Sequence, residues 1–379
     1  MTNDNSFIPF AKPTLSEETY ADVEAVLRSG WLTTGPKVAQ FEQDLSSYFS
    51  GRSVRCLTSA TAGLQLALLA IGIKAGDEVI TTPLTFVATL NTIVQAGAKP
   101  VLVDIDPDTR NMDVTLIEKA ITQKTKAIMP VHYAGLPVDL DPLYALAEKY
   151  NLRVIEDCAH AIGAAYKGKK IGAFGDIQVM SFHPNKNMTT GEGGAVVTDD
   201  SEIIKRIERL RFHGIDREAF NRFSKAGSQH YDVVEAGFKY NMMDIQAVIG
   251  LRQLPMLDRF IEKRTALVKQ YYEKLGNIKQ LSLPSLPDYE HIHAWHLLTV
   301  LTQNRDGFIE KMKQENIGIG MHYVAAHLFT FYRETFGYKQ GDFPNAEKVG
   351  SQICSLPLFP NLTNAEFERI TNSIINVLS

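Results

Sequence analysis

Four short apolar stretches, Asp77–Thr82, Lys99–Asp104, Lys126–Val131 and Leu152–Asp157, alternate with segments of helical spacing. The helical segments are Thr61–Gly72, Phe86–Gln95, Val114–Thr122 and Pro142–Tyr150. No other feature limits the fold as much. Apolar strands that alternate with helices predict an α/β fold, a mostly parallel sheet covered on both faces. Ligands of such sheets bind beyond the carboxyl ends of the strands, so those ends are where chemistry is expected. A strand near Val54 opens the pattern; Ile177–Met180 and Ala195–Thr198 extend it, the latter ended by Asp199 and Asp200.

Near Pro255 the pattern changes. Met256–Leu275 reads as a long amphipathic helix with Leu257, Phe260, Ile261 and Leu267 on one side. Leu297–Leu301 and Ile317–Met321 then read as strands, and Asp306–Gln314 and Asn364–Leu378 as helices. This predicts a large domain over 1–254 with an N-terminal lead-in, and a smaller C-terminal α+β domain over 255–379. In the lead-in, Tyr20, Val23, Val26 and Leu27 have helical spacing before the turn Ser29-Gly30. Trp31–Pro36 is a loop whose threonines, Thr33 and Thr34, either line a site or merely connect.

The net charge of −4 comes with no basic face, which argues against a nucleic-acid surface. The longest apolar runs, such as Leu64–Ile73, are too short to span a bilayer. Met1–Ser6 has neither a basic start nor an apolar core, so no signal peptide is expected. Cys56, Cys158 and Cys354 lie far apart in apolar contexts, as buried thiols of a reducing cytoplasm would.

Several motifs fall at predicted strand ends. Ser181 to Gly194 connects two apolar strands and carries one lysine, Lys186, among polar residues and glycines. Lys186 is either a surface loop residue or an amine held in a cleft, where partial desolvation would let it attack a carbonyl. Thr58–Gly63 opens an apolar helix with small residues, as an ordinary N-cap or an anion site would. Its glycines fit neither a nucleotide-triphosphate loop nor a dinucleotide fingerprint. Asp157 ends a strand and either caps a turn or holds a proton on a pyridine nitrogen; His160 follows three residues on. Phe86 is core or a stacking ring, and Asn241 caps a turn or meets a phosphate. His291, His293 and His296 raise a zinc site, but their spacing matches no usual ligand pattern and no cysteine is near, so no metal is expected. An anion cradle, a ring clamp, an acid and a reactive lysine are together what pyridoxal 5'-phosphate requires.

The residues Ser29-Gly-Trp-Leu-Thr-Thr-Gly-Pro36, Ser59-Ala-Thr-Ala-Gly-Leu64, Glu156-Asp-Cys-Ala-His160, Ser181-Phe-His183, Lys186-Asn187, Gly191-Glu-Gly-Gly194 and Tyr240-Asn241 resemble the DegT/DnrJ/EryC1/StrS family of sugar aminotransferases over nearly the whole length. The resemblance implies the fold-type I aminotransferase fold and a cytoplasmic homodimer with shared sites. It implies Lys186 as the Schiff-base lysine, Asp157 on the pyridine nitrogen, Phe86 stacked on the ring and His160 near the ring hydroxyl. Ala60, Thr61 and Ser181 would hold the phosphate, with Asn241 of the partner subunit. Thr33 and His327 would face the substrate. Val131–Gly135, Glu290–His296, Met321–His327 and Cys354–Pro360 are similar to members that aminate a UDP-linked 4-keto-pentose on the route to cationic lipid A. Phe86 stands in place of an expected tryptophan, and Pro184-Asn185 and Thr190-Gly191 resemble members that act on 4-keto-6-deoxy-hexose nucleotides. The implied donor is L-glutamate, released as 2-oxoglutarate. Lys186 argues against the dehydrating members, which carry histidine there, and the set of site residues argues against a non-catalytic ligand-binding member.

Overall fold

The computed structural model describes residues 6–216 and 231–379. Met1–Asn5, most of the segment tested for a signal peptide, lie outside the described residues. The strands are β1 (Ser53–Leu57), β2 (Glu78–Thr81), β3 (Lys99–Leu102), β4 (Thr125–Ile128), β5 (Arg153–Asp157), β6 (Ala165–Tyr166), β7 (Lys169–Lys170), β8 (Ile177–Ser181), β9 (Gly194–Thr198), β10 (His291–Ile292), β11 (Leu298–Leu301) and β12 (Ile353–Leu356). Seven of them form one sheet in the order β1-β9-β8-β5-β4-β2-β3. From β8 through β5, β4 and β2 to β3 every pairing is parallel, while β9 runs antiparallel to both its neighbours, β8 and β1. The strands around Lys186 therefore make a hairpin inside the sheet. Both are buried along their whole length, so neither reads as an edge.

The helices are α1 (Glu17–Ser29), α2 (Pro36–Tyr48), α3 (Ala60–Ala70), α4 (Val87–Gln95), α5 (Ile117–Ala120), α6 (Leu140–Tyr150), α7 (Ser201–Leu210), α8 (Asp244–Gln253), α9 (Leu257–Leu275), α10 (Arg305–Gln314), α11 (Thr330–Phe336), α12 (Pro344–Gln352) and α13 (Asn364–Leu378). Helices cover both faces of the large sheet, as its apolar strands require. Leu64 and Leu68 of α3, Ile93 of α4 and Ile207 of α7 pack on Val79, Ile155, Val179 and Val196. Phe41 and Leu45 of α2, Leu143 of α6 and Ile261 of α9 pack on Cys56, Ile80, Val154, Met180 and Val197. The alternation of Val196 and Val197 between the two faces is the period-two rule of a strand. A third core joins α9, α10 and α13 to the pair β11–β12 through Tyr271, Phe308, Val300, Leu356 and Ile370, and Ile8 from the lead-in completes it. All three cysteines are free and buried. No helix among the described residues is long and apolar enough to cross a membrane.

Two expectations need correcting. Ile317–Met321 is not a strand; it makes only single bridges, Ile317 to Ile8 and Gly320 to Ser355. Val114–Thr122 is not one helix but a 3-10 turn, Val114–Leu116, followed by the four residues of α5. Asp113 accepts from the Thr115 N–H at 2.9 Å and so starts the tight turn.

Candidate active site

The carboxyl ends of β5 and β8 lie side by side, with Asp157 paired to Val179. Asp157 is only 5% exposed. The Thr89 hydroxyl, from α4, donates to its Oδ2 at 2.8 Å, and the Ala159 N–H donates to Oδ1 at 3.1 Å. Burial raises the pKa of this carboxyl in spite of both bonds and of the opposing pull of Lys186 and His132.

Lys186 sits in the connection from β8 to β9. Bonds from Phe182 N to Gly193 O (2.9 Å) and from Thr190 N to Phe182 O (3.0 Å) close that connection, and the Lys186 N–H bonds His183 O at 2.9 Å. The lysine keeps some exposed surface, yet its Nζ lies 3.4 Å from His296 Nε2. Burial brings the amine from its ordinary 10.5 down to about 8, and Asp157 holds it from falling further. Such an amine is neutral in about half of the molecules near pH 8, where an ordinary lysine is almost wholly charged, and a nucleophile must be neutral.

Burial also pushes His160 and His296 well below the usual histidine range, and the Lys186 charge adds to this. His160 Nδ1 accepts from the Ala134 N–H at 3.2 Å, which assigns the proton to Nε2, 3.2 Å from the Tyr323 hydroxyl. Beneath Asp157, His132 Nδ1 accepts from the Val138 N–H at 3.0 Å and Nε2 therefore donates to Glu156 Oε2 at 2.8 Å. Tyr144 and Gln178 donate to the other oxygen of Glu156, so this buried pair is fully committed, although with Cys158 it has the spacing of a metal cluster.

At the end of β1, Ser59 caps α3 by accepting from the Ala62 N–H at 3.1 Å. The N–H groups of Ala60 and Thr61 open the helix with no intrahelical partner. Register places Leu57, Gly194 and Ser181 in one row across β1, β9 and β8. A side chain at Gly194 would lie 2.5 Å from Ala60 N, so the missing Cβ is what lets the first turn of α3 close onto the hairpin beside Ser181. Phe86 stands at the start of α4 with 56% of its surface exposed, 5.9 Å ring to ring from Tyr323, which excludes a core role.

Asn241 bridges to Leu57; its Nδ2 donates to the Thr34 hydroxyl at 2.6 Å and its Oδ1 accepts from Lys239 Nζ at 2.7 Å. Thr33 is exposed in the neighbouring loop and its carbonyl accepts from the Asp244 N–H at 3.1 Å. His327 corrects an expectation. It is fully buried, bonded to Glu347 at 2.9 Å and packed on Phe343, so its ring is closed off from any substrate. The three histidines weighed for zinc go separate ways. His291 meets the Tyr289 carbonyl, His293 stacks on Trp295 with ring centroids 3.7 Å apart, and His296 meets Lys186. Sequence reasoning missed Tyr323 and Thr89, and weighed His296 only as a zinc ligand. Thr89 alone had a local signal, three residues beyond Phe86 on one helix. A separate groove of about 530 Å³, lined by Met112, Asp139, Lys149 and Tyr289 among others, holds none of the expected residues.

The family model described as the DegT/DnrJ/EryC1/StrS aminotransferase family matches residues 13–375. A protein of Methanocaldococcus jannaschii named as uncharacterized, MJ1066, is 48% identical over 99% of this chain and 98% of its own length. The UDP-4-amino-4-deoxy-L-arabinose–oxoglutarate aminotransferase of Shewanella sediminis is 44% identical, over 99% of each chain. Among solved structures, Spr1654 of Streptococcus pneumoniae, described as a sugar aminotransferase in its PMP form, superposes with a TM-score of 0.92 at 33% identity over 98% of this chain and 99% of its own; the PLP form gives 0.91. An α/β sheet whose strand ends gather a desolvated lysine and a buried acid is thus the scaffold of a known enzyme class, and the chain belongs to the DegT/DnrJ/EryC1/StrS family of aminotransferases, which work with pyridoxal 5'-phosphate.

Proposed function

We propose that this protein moves an amino group from L-glutamate to the 4-keto carbon of a nucleotide-linked sugar, foremost a UDP-4-keto-pentose on a cytoplasmic route to modified lipid A. The observation that carries the reading is the Lys186 amine, brought to about 8 by burial beside the acid Asp157. The donor set fits pyridoxal phosphate: a helix start closed against Gly194, a buried acid, an exposed ring and a desolvated amine. When bound, that group supplies an aldehyde carbon for the amine and an electron-accepting ring. Lys186 is the reacting amine and carries the proton between donor carbon and cofactor carbon. Asp157, fixed by Thr89 and Ala159, keeps the pyridine nitrogen protonated. The N–H groups of Ala60 and Thr61 and the Ser181 hydroxyl take the phosphate, with Asn241 of the partner subunit. Phe86 covers one ring face, His160 lies near the ring hydroxyl, and Thr33 lines the sugar entrance. The homodimer is supported by apolar side chains left exposed near Asn241, namely Leu32 and Met243.

The pentose is supported by the Shewanella relative's name and by the shared histidine-rich segments. Pro184-Asn185 and Thr190-Gly191 favour a second reading, a 4-keto-6-deoxy-hexose nucleotide. Both ketosugars, assayed side by side with L-glutamate and with 2-oxoglutarate release as the readout, separate the readings. The pentose is expected to win by at least about tenfold in kcat/KM. The reverse preference assigns the hexose, and turnover of neither ends both readings.

The cradle makes its own prediction. Gly194→Ala forces backbone at the first turn of α3 to shift, since 2.5 Å is too close for a Cβ. Cofactor retention after dialysis is expected to weaken at least about tenfold, the worth of a single charge-assisted bond to a phosphate.

A further inference from the structure

His296 has no assigned role in the reaction, yet the chain goes to some length to place it. The Asn187 side chain, next to Lys186, donates to the Ala294 carbonyl at 2.6 Å. Arg264 donates to the carbonyls of Trp295 (3.2 Å) and His296 (3.4 Å). The Ala294 N–H bonds the Gly135 carbonyl at 2.9 Å and the Leu297 N–H bonds the Ala134 carbonyl at 3.2 Å. Trp295 is held at φ +46, a strained value for a bulky residue, and Gly135 lets His296 N come close, since a side chain there would lie 3.1 Å from it. All of this delivers one ring, 2% exposed, to the end of Lys186.

That ring has one partnered nitrogen. Nε2 faces Lys186 Nζ, while Nδ1 is buried with no hydrogen-bond partner among the described residues. An ammonium has only donors to offer, so Nε2 must accept, and the ring proton sits on Nδ1. We infer that His296 is a positioning residue for Lys186: its Nε2 accepts a hydrogen bond from the lysine amine, aims it toward Asp157 and keeps it from becoming too weak a proton acceptor. Of the other described groups around the amine, only Asp157 shares in supporting its charge. Asp157 attracts the charge; burial and the Lys186 charge keep the His160 and His322 rings neutral; Arg264 presents its charge to backbone carbonyls. The inference rests on Lys186 being the reactive amine but not on which sugar is aminated.

The test reads the lysine's own proton in the cofactor-free protein. Competitive labelling with an amine-reactive reagent across pH, with Lys186 followed by peptide mapping, gives its midpoint, expected near 8 in the unaltered chain. His296→Phe fills the space and removes the acceptor; without that bond to the charged form the midpoint is expected to fall by about one unit. His296→Gln keeps a side-chain acceptor and is expected to bring the midpoint back toward the unaltered value. A midpoint in His296→Phe equal to that of the unaltered protein overturns the inference. So does an equal fall in both variants, which would mean that only packing was lost. A failure to aminate sugars changes neither midpoint, so the two proposals fail separately.

Discussion

Lys186→Ala is expected to abolish transamination, lowering turnover by at least about four orders of magnitude, because it removes both the covalent anchor and the proton carrier. The fold is expected to survive. Lys186 lies in a connection between strands, and among the described residues the side-chain bond lost is the long one to His296. Steady-state release of 2-oxoglutarate measures the first effect and the thermal unfolding midpoint the second. Near-normal activity in this variant would end the assignment. In the unaltered protein, borohydride treatment of the loaded enzyme followed by peptide mapping should tag residue 186. The pH dependence has a definite sign: capture of the cofactor should rise with pH through about 8, as the amine loses its proton, instead of near the ordinary 10.5.

Asp157→Asn should separate chemistry from stability. Without the negative charge the pyridine nitrogen loses its counter-ion, and turnover is expected to fall about a thousandfold. The cofactor-free protein should be as stable as before, or more so, at neutral pH. Burial raises the folded pKa of Asp157 above its ordinary 3.8, so ionisation costs stability that accumulates as the pH rises from 3.8 to that raised value and is complete above it, and the amide carries no such cost. Unfolding midpoints of the two cofactor-free proteins should therefore converge as the pH is lowered. Equal losses of turnover and stability at neutral pH would mean that Asp157 is only a structural residue.

The strand–helix alternation was legible because strands buried on both faces are written as unbroken apolar runs, and the ends of those strands located Asp157, Ser181 and Lys186. What escaped notice depended on distant partners. Helix α2 starts at Pro36 with a weak local signal; its first turn is capped by Asp244, whose carboxylate accepts from Lys37 N at 3.1 Å and Val38 N at 3.0 Å. Strands β6, β7 and β10 have two residues each, too few for any period to show. Gly318 and Gly320 lie so near Phe10 and His322 that the segment around them supports single bridges where an apolar pattern suggested a strand. In the site, His296 reaches Lys186 from far along the chain, and His327 has the right neighbours in sequence but turns its ring to Glu347.

Ile8 bears on how the molecule is made. It bonds Asn316 and Gly318, which follow it by roughly three hundred residues in synthesis. The seven-stranded sheet can close as soon as residue 198 has emerged, whereas the strap carrying Ile8 must wait in solvent for nearly the whole chain. A translation pause placed after the sheet and before α10 would thus be borne by a nascent chain with a finished centre and an undocked segment around Ile8, and proteases should nick that segment first.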